Sequence, residues 1–363
     1  MRLALTAGGT GGHILPAMAV LDALKAREGL VTAVRFFGPD NRGERATVET
    51  RGIRFETVPA AGIRGRNPVQ LAGGAGRLAW GTVVAARKLR SFRPDVVFST
   101  GGYASFPCSV AARVLRLPLV VYLPDVTPGW AVQVEKRLAT RMATSTDAAL
   151  AHLPATKTVV TGYPVRASFF TTTREEARRE FGLADHEPVV VIAGASQGAR
   201  AINEAVFAAT QVLCEAVTVV HVTGTADLPA AEEIRAKLPE SLRDRYQVAP
   251  FRDDLPNLMV AADLGVFRAG ASVLGEVPAA GLPAIFVPGT FAGGHQRDNA
   301  KWLTDAGAAE ILEQADLGSL ADRVLGLIRR PERLAEMREA ATGLARPGAA
   351  DAIGDLIVEA AGK

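Results

Sequence analysis

Short apolar runs alternate with longer segments of helical periodicity along most of the chain. The apolar runs are rich in Val, Ile and Leu and are bounded by Gly or Pro, as buried parallel strands are. In the first half the pattern predicts strands at 3–6, 34–37, 55–58, 96–100, 119–122 and 158–160, with helices near 16–27, 69–92, 106–115 and 131–139. In the second half it predicts strands at 189–193, 217–222, 264–267 and 284–287, with helices near 198–213, 254–262, 272–280 and 296–306. This alternation indicates an α/β fold with two doubly wound parallel sheets.

Both halves begin with the same arrangement, an apolar strand followed by a small-residue turn at 7–12 or 193–198 and then a helix. A chain of 363 residues is long for one core and suits two. The join is predicted at Gly162-Tyr163-Pro164, because Pro fixes φ and keeps its predecessor extended. We therefore predict one domain over 1–163, a second over 164–345, and a C-terminal helix within 346–363 that packs back on the first domain.

Charge is distributed unevenly between the halves. Residues 1–165 hold 21 Lys and Arg against 10 Asp and Glu, a net of +11, whereas residues 166–363 hold 20 against 28, a net of −8. The span 57–94 contains seven Lys and Arg and no acidic residue. Such a basic region indicates an anionic partner, which a membrane or a nucleic acid would supply.

The helix near 69–92 carries much of this basic character. At 100° per residue its core stripe is predicted to be Leu71, Ala75, Leu78, Thr82, Ala85, Leu89 and Phe92. The other side presents Arg77, Trp80, Val84, Arg87 and Lys88. An aromatic and aliphatic group ringed by cations is typical of contact with anionic lipid, and a merely solvated basic face is the alternative. Because the sequence shows neither a signal peptide nor ~18 successive apolar residues, we expect a soluble, unexported protein.

Two small-residue turns are candidates for phosphate binding, since backbone N–H groups at a helix N-terminus attract anions. The first includes Thr10, Gly11 and Gly12, and the second includes Ser196 and Gln197. Close helix–sheet packing also requires glycine, so a turn alone is a weak signal. Neither turn fits G-x-G-x-x-G, and the second strand ends without the acidic residue that binds an adenosine ribose, which argues against NAD. The two cysteines, at 108 and 214, lack the spacing of a disulfide framework or a zinc site.

The segment 268–276 is more informative. Its turn N–H groups at Ala271, Ser272 and Val273 can hold a diphosphate, while Glu276, one turn into the next helix, can bind a ribose diol. The alternative is that Glu276 only complements the helix dipole. The loop at 288–294 then delivers His295, Gln296 and Asn299 to a helix start, where amide groups can bind sugar hydroxyls.

Six motifs occur in one order along nearly the whole chain: the segments 8–13, 101–103, 162–166, 196–200, 268–276 and 296–300. In these motifs the chain resembles the MurG family, the peptidoglycan N-acetylglucosaminyltransferases of glycosyltransferase family 28. The resemblance implies a GT-B architecture, two Rossmann-like domains separated by a cleft. It implies transfer of GlcNAc from UDP-GlcNAc to lipid I, the undecaprenyl-pyrophosphoryl-MurNAc-pentapeptide, giving lipid II. It also implies a peripheral enzyme at the cytoplasmic face of the bacterial cell membrane, without a nucleic-acid partner.

The resemblance assigns roles to residues at matching positions. Ser196 and the turn 271–273 face the diphosphate, Arg166 lies beside the donor, and Glu276 holds the ribose. Gln296 and Asn299 contact GlcNAc hydroxyls. The backbone at Arg252 pairs with the uracil base, and Phe251 helps to form its pocket. On the acceptor side the matching residues are Gly101, Gly102 and Tyr103.

The implied chemistry is an inverting attack by an acceptor hydroxyl on the anomeric carbon. His13 is the leading candidate for the base because imidazole changes charge near neutral pH, and the alternative is that it caps the turn or binds acceptor phosphate. Backbone amides and Arg can stabilise the departing UDP. Because no D-x-D motif is present, we predict that the reaction needs neither metal nor cofactor.

One segment departs from the family pattern: Tyr122-Leu123-Pro124-Asp125 stands where relatives carry a His-Glu-Gln-Asn-like run. Asp125 can bind an acceptor hydroxyl or compete with His13 as the base. The departure also leaves three alternatives open, namely a UDP-sugar epimerase, a catalytically idle subunit, and a transferase for another lipid or metabolite. The intact turn at 8–13 and the basic helix favour lipid I.

Overall fold

The computed structural model describes residues 1–8, 11–41, 44–62, 68–184, 186–194, 199–289 and 294–362, with the backbone alone at 11 and 68–72. These residues form two compact units. The first combines Met1–Pro164 with Gly348–Lys363, and the second is Val165–Pro347. Both boundaries fall at a proline, where the fixed φ suits a connection between separate cores.

The described residues of the first unit form one sheet of seven parallel strands. These are β1 (Arg2–Thr6), β2 (Ala33–Gly38), β3 (Arg54–Thr57), β4 (Val96–Ser99), β5 (Leu119–Leu123), β6 (Arg141–Thr144) and β7 (Thr158–Val160). Their order in the sheet is β3-β2-β1-β4-β5-β6-β7. Every residue of β4 and β5 is buried, which is why these strands are nearly unbroken apolar runs.

Within the described part of the first unit, five helices precede the boundary at Pro164. These are α1 (Gly11–Ala26), α2 (Glu44–Glu49), α3 (Pro68–Phe92), α4 (Phe106–Val114) and α5 (Trp130–Leu138), with short 3-10 turns at Asp147–His152 and Ala155–Lys157. The core between sheet and helices includes Leu89, Val97, Cys108 and Val121, all buried.

The second unit repeats the design with six parallel strands in the order β10-β9-β8-β11-β12-β13. The strands are β8 (Val189–Ala193), β9 (Thr218–Val222), β10 (Tyr246–Ala249), β11 (Leu264–Phe267), β12 (Ala284–Phe286) and β13 (Ala309–Ile311). Its helices are α6 (Ser168–Thr171), α7 (Arg174–Glu180), α8 (Arg200–Cys214), α9 (Leu228–Lys237), α10 (Glu240–Arg243), α11 (Leu255–Ala261), α12 (Val273–Ala280), α13 (His295–Asp305), α14 (Leu320–Ile328) and α15 (Pro331–Gly343), with a 3-10 turn at Gln314–Ser319. The predicted α/β class with two parallel sheets is confirmed.

The final helix, α16 (Ala349–Ala360), belongs to the first unit and packs on α1. It buries Ile353 and Ile357, and Arg27 beyond the end of α1 reaches Asp355 at 2.6 Å. The chain therefore completes its first unit with its last residues.

Each sheet reverses its strand order once, between β1 and β4 in the first unit and between β8 and β11 in the second. At such a point the connections leave in opposite directions and open a crevice at the carboxyl ends of the strands, where ligands of doubly wound sheets bind. The segments that follow β1, β4, β8 and β11 contain most of the predicted site residues.

Helix α1 begins at Gly11, five residues before the predicted start, and contains Pro16. A proline inside a helix lacks the N–H that would bind the carbonyl four residues earlier, here that of Gly12. The Tyr163 hydroxyl donates to the Gly12 carbonyl oxygen at 3.3 Å instead. The freed acceptor thus has a partner from the end of the first unit, and the helix continues through the proline.

The sequence pattern does not predict the strands β6, β10 and β13. Each has three or four residues and includes polar positions such as Arg141, Gln247 and Glu310. Their pairing with neighbouring strands stabilises them more than their own sequence pattern does.

Candidate active site

His13 lies near the start of α1, at the carboxyl edge of the first sheet, and is half-buried. Its Nδ1 is 2.8 Å from the carbonyl oxygen of Thr100, and the Thr100 hydroxyl donates to the His13 carbonyl at 2.7 Å. A carbonyl oxygen only accepts, so Nδ1 carries the hydrogen. In the neutral ring the basic nitrogen is therefore Nε2, which is the form a general base requires.

Glycines enclose the imidazole. Gly101 and Gly102 have φ of +77° and +87°, a conformation that suits glycine. A Cβ on Gly102 would lie 2.9 Å from the Cα of Gly8 and 3.7 Å from Nε2 of His13, and a Cβ on Gly8 would lie 2.8 Å from the imidazole Cδ2. The turns after β1 and β4 approach one another this closely only because these side chains are absent.

The remaining residues predicted for this edge are placed as follows. Tyr103 is half-buried beside the Gly101–Gly102 turn. Gly11 begins α1 and Gly12 supplies the carbonyl bound by Tyr163. Thr10 lies outside the described residues.

The segment 122–125, which departs from the family pattern, is buried over its first three residues. Tyr122 is fully buried, with its hydroxyl 2.6 Å from Ser145 Oγ and 3.3 Å from the Gly162 carbonyl. Leu123 and Pro124 are buried as well, whereas Asp125 is half-buried after the end of β5. Of the altered positions, Asp125 is the one that retains solvent exposure, and Tyr122 stabilises the connection at Gly162.

A buried acid that the sequence pattern does not predict lies beneath this edge. Glu135 of α5 is fully buried and has Ser99, Ser105 and Ser109 around one carboxylate oxygen. Burial raises its pKa to about 7, although the three serine hydroxyls act in the opposite direction. The available signal was its spacing from Ala131 and Val132, which places Glu135 on the buried face of α5.

In the second unit, Glu276 lies in the first turn of α12, after the turn that follows β11. It is half-buried, and burial raises its pKa against the opposing effects of a hydrogen bond with Ser272 and the charge of Arg166. The turn itself differs from the prediction at one point, because the Val273 N–H already donates to the Gly270 carbonyl at 3.2 Å. The N–H groups predicted for a diphosphate are therefore best represented by Ala271 and Ser272.

The segment 251–254, which contains the residues predicted to bind uracil, is held by an ion pair between Arg252 and Asp254. Arg252 donates from Nε and Nη2 to the two oxygens of Asp254 at 2.8 and 2.7 Å, and its guanidinium lies 5.2 Å from the Phe181 ring centroid. This hydrogen bonding holds the pKa of Asp254 below its ordinary value. Phe251 is 61% exposed, and Arg166 donates to the Asp253 carbonyl at 2.7 Å. The structure thus brings Arg166, Phe251 and Arg252 to one segment.

The two side-chain amides predicted to contact the sugar, those of Gln296 and Asn299, differ in burial. Gln296 is half-buried and its Oε1 accepts from the Gly289 N–H at 2.8 Å. Asn299 is fully buried and donates to the Ala269 carbonyl at 3.1 Å, so in this structure it braces the turn after β11 rather than facing solvent. Ser196 and Gln197, predicted to face the diphosphate, lie outside the described residues.

The basic face of α3 is partly confirmed. Arg77 and Arg87 are exposed, and Trp80 is 55% exposed. Lys88 instead pairs with Glu56 at 2.8 Å, and Val83, not Val84, is the exposed valine of this face.

The predicted core stripe of α3 was wrong at Ala75, which is exposed, while Gly74 and Gly81 are buried. Leu78, Ala85, Leu89 and Phe92 are buried as predicted, Thr82 is half-buried, and the side chain of Leu71 lies outside the described residues. Among the described helices, none is sufficiently long and apolar to cross a membrane.

Sequence comparison matches both halves of the chain to one family. Residues 3–144 match the Glycosyltransferase family 28 N-terminal domain and residues 189–353 match the Glycosyltransferase family 28 C-terminal domain. Proteins from Desulforudis audaxviator and Nitratidesulfovibrio vulgaris (strain Hildenborough) are 37% and 38% identical over 379 and 363 residues. The alignments cover 100% and 99% of this chain, and 99% and 97% of the relatives. Both are named UDP-N-acetylglucosamine--N-acetylmuramyl-(pentapeptide) pyrophosphoryl-undecaprenol N-acetylglucosamine transferase.

Solved structures agree with this result. The crystal structure of Acinetobacter baumannii MurG is 27% identical, with a TM-score of 0.78 and 99% of each chain covered. The UDP-GlcNAc 2-epimerase from Neisseria meningitidis has a TM-score of 0.67 over 99% of this chain and 100% of that one, but at 16% identity the likeness concerns the fold alone. The predicted resemblance and the GT-B fold class are confirmed, and the chain belongs to glycosyltransferase family 28.

Proposed function

We propose that this glycosyltransferase moves GlcNAc from UDP-GlcNAc to undecaprenyl-pyrophosphoryl-MurNAc-pentapeptide, the step that forms lipid II in peptidoglycan synthesis. The observation that carries the proposal is the full-length similarity to transferases with that name, which includes the acceptor half as well as the donor half.

His13 is proposed as the base. As the acceptor hydroxyl oxygen bonds to the anomeric carbon, its hydrogen passes to Nε2, and the bond from that carbon to the UDP oxygen breaks with its electron pair leaving on UDP. The hydrogen bond from Nδ1 to the Thr100 carbonyl supports this role, because it orients the ring and stabilises the imidazolium that forms. Attack opposite the leaving UDP inverts the configuration.

The second unit is proposed to hold the donor. Glu276 is suited to accept hydrogen bonds from the ribose diol, and the N–H groups of Ala271 and Ser272 to bind the diphosphate at the N-terminus of α12. The ion pair between Arg252 and Asp254 fixes the backbone at Arg252, which would form hydrogen bonds with the edge of the uracil base. Backbone N–H groups at the N-terminus of α12 are suited to stabilise the charge that grows on departing UDP, and we therefore propose transfer without a metal ion.

A peripheral position on an anionic membrane is proposed for the first unit. Trp80 and Val83 present apolar surface, and Arg77 and Arg87 lie on the same helix among residues without acidic neighbours in sequence. Such a face combines apolar insertion with attraction to anionic headgroups.

The proposal is tested by measuring UDP release and glycosylated product with purified protein, UDP-GlcNAc and one acceptor at a time. The acceptors are a lipid I analogue, undecaprenyl pyrophosphate, diacylglycerol, and none, each with Mg²⁺ and with EDTA. We expect product with lipid I alone, at equal rates in both metal conditions. UDP-GlcNAc binding without turnover would instead indicate an idle subunit, and conversion of the sugar without acceptor an epimerase. Turnover with Mg²⁺ but not EDTA would contradict the metal-free mechanism.

A further inference from the structure

Glu135 is a fully buried carboxyl group whose Oε1 is surrounded by serine hydroxyls. Ser109 Oγ lies 2.7 Å away, Ser105 Oγ 2.8 Å and Ser99 Oγ 3.4 Å. Within the part of the chain that the structure describes, its Oε2 has no hydrogen-bond partner. A buried acid with such partners costs folding free energy, so its presence beneath the candidate active site calls for a functional reason.

Two of these serines also reach the turn that follows β4. Gly101 N–H donates to Ser99 Oγ at 3.1 Å, and Ser105 Oγ lies 2.8 Å from the Gly102 carbonyl oxygen. A serine hydroxyl has one hydrogen, so Ser105 donates at any moment to the Gly102 carbonyl or to Glu135. Ser109 differs, because its hydroxyl contact is with the carboxylate.

The same turn positions the imidazole. Thr100 accepts the hydrogen of His13 Nδ1, and Gly102 borders Nε2 so closely that a Cβ there would lie 3.7 Å from it. A continuous path of hydrogen bonds and packing therefore runs from Glu135 through Ser99 and Ser105 to the ring of His13.

We propose that Glu135 is a positioning residue for the transfer reaction: through Ser99 and Ser105 it fixes the turn Thr100–Gly102, and through that turn the orientation of His13. The inference rests on the proposed function, since it assigns Glu135 a part in the same site.

The neutral acid suits this role better than the carboxylate. With a proton on the carboxyl group, Glu135 donates to Ser105 Oγ and leaves the serine hydrogen for the Gly102 carbonyl. An ionised Glu135 draws that hydrogen to itself, and the carbonyl loses its donor. The groups that face Glu135 are Ser99 from the end of β4 and Ser105, Cys108 and Ser109 from the α4 side; burial raises the pKa of Cys108 to about 12, so the thiol stays neutral.

The first test compares Ser105→Ala with Ser109→Ala, because both serines contact Glu135 but Ser105 also contacts the turn. We expect Ser105→Ala to lower kcat with the lipid I analogue by roughly five- to tenfold and Ser109→Ala by less than about threefold, with the Kd for UDP-GlcNAc unchanged in calorimetry. Equal effects of the two substitutions on kcat would overturn the positioning role.

The second test is the pH profile of kcat from about pH 6 to about pH 8.5 for the wild type and Glu135→Gln. The amide of the variant imitates the neutral acid and does not ionise, so we expect the wild-type rate to fall on the alkaline side and the variant to keep its rate. Superimposable pH profiles of the two proteins would overturn the proposal. If Glu135→Gln fails to fold, the comparison of kcat between Ser105→Ala and Ser109→Ala tests the proposal instead. Absence of wild-type turnover would overturn the proposed function, whereas turnover with equal serine variants would overturn this inference alone.

Discussion

At the scale of single residues, His13 and Asp125 are the two candidates for the general base, and their surroundings in the structure differ. The bond between His13 Nδ1 and the Thr100 carbonyl selects the tautomer with a basic Nε2. Asp125 is half-buried at the end of β5, where a role in binding the acceptor suits its position.

Substitution separates the two roles. We expect His13→Ala to lower kcat by ~10²- to 10⁴-fold, the usual value of a positioned base, and Asp125→Ala to lower it by less than ~10-fold while raising KM for the acceptor. Steady-state kinetics with the lipid I analogue measures both, with calorimetric UDP-GlcNAc affinity as the control for folding. The opposite ranking would assign the base to Asp125.

Glu135 gives a prediction about stability. Its pKa is about 7 in the folded protein against 4.5 for an ordinary Glu, so the ionisation penalty is absent below pH ~4.5 and grows until the pH passes ~7. Glu135→Gln removes the penalty and is expected to gain up to about 3 kcal/mol over the wild type at pH 8, and little at pH 5. Urea unfolding at both pH values measures the difference. A gain that does not depend on pH would show that Glu135 is not neutral in the folded state.

The sequence predicts where residues that directly follow a strand lie, but it does not predict which side chains are buried. His13 and Glu276 lie just after the carboxyl ends of β1 and β11, because strand, turn and helix are contiguous in sequence. Asn299, predicted to contact a sugar hydroxyl, is buried and donates to the Ala269 carbonyl. Glu135 was missed because its serine partners are 26 to 36 residues away along the chain.

At the scale of elements, α3 shows how a glycine that weakens a helix can be required by packing. A Cβ on Gly81 would lie 1.9 Å from the Pro59 carbonyl oxygen and 3.3 Å from Pro107, so the helix approaches both neighbours only without a side chain. The apolar period predicted the extent of α3 within one residue but misjudged Ala75, which is exposed, whereas Gly74 and Gly81 are buried.

Gly81→Ala and Gly76→Ala form a matched pair within this helix. A Cβ on Gly76 would have no atom of the described residues within 4 Å. We expect Gly81→Ala to lower the free energy of unfolding by about 2 kcal/mol or more and Gly76→Ala to raise it by up to ~1 kcal/mol. Denaturant melts measure both; similar effects at the two sites would mean that α3 does not approach Pro59 as described.

At the scale of the whole molecule, the fold was predictable because both sheets have near-continuous apolar strands, and the missed strands are short ones held by their neighbours. The uneven charge also has a consequence at this scale. The net charge is +11 over residues 1–165 and −8 over residues 166–363, so an anionic surface would attract the first segment and repel the second.

Binding to vesicles tests this charge distribution. We expect the wild type to bind phosphatidylglycerol vesicles more strongly than phosphatidylcholine vesicles, and Trp80→Ala and Arg77→Glu each to weaken binding to the former by roughly fivefold. Val212→Ala is the control, since Val212 is 51% exposed on α8 in the second unit. A Trp80→Ala variant that binds like the wild type would exclude this face of α3 as the membrane contact.

Inverting transfer of GlcNAc to lipid I is tested most directly by analysing the product. Purified protein is incubated with ¹³C-labelled UDP-GlcNAc and a lipid I analogue in EDTA, and the product is examined by mass spectrometry and NMR. We expect one added GlcNAc whose anomeric configuration is opposite to that in the donor. Retained configuration, or released sugar with no glycosylated lipid, would contradict it.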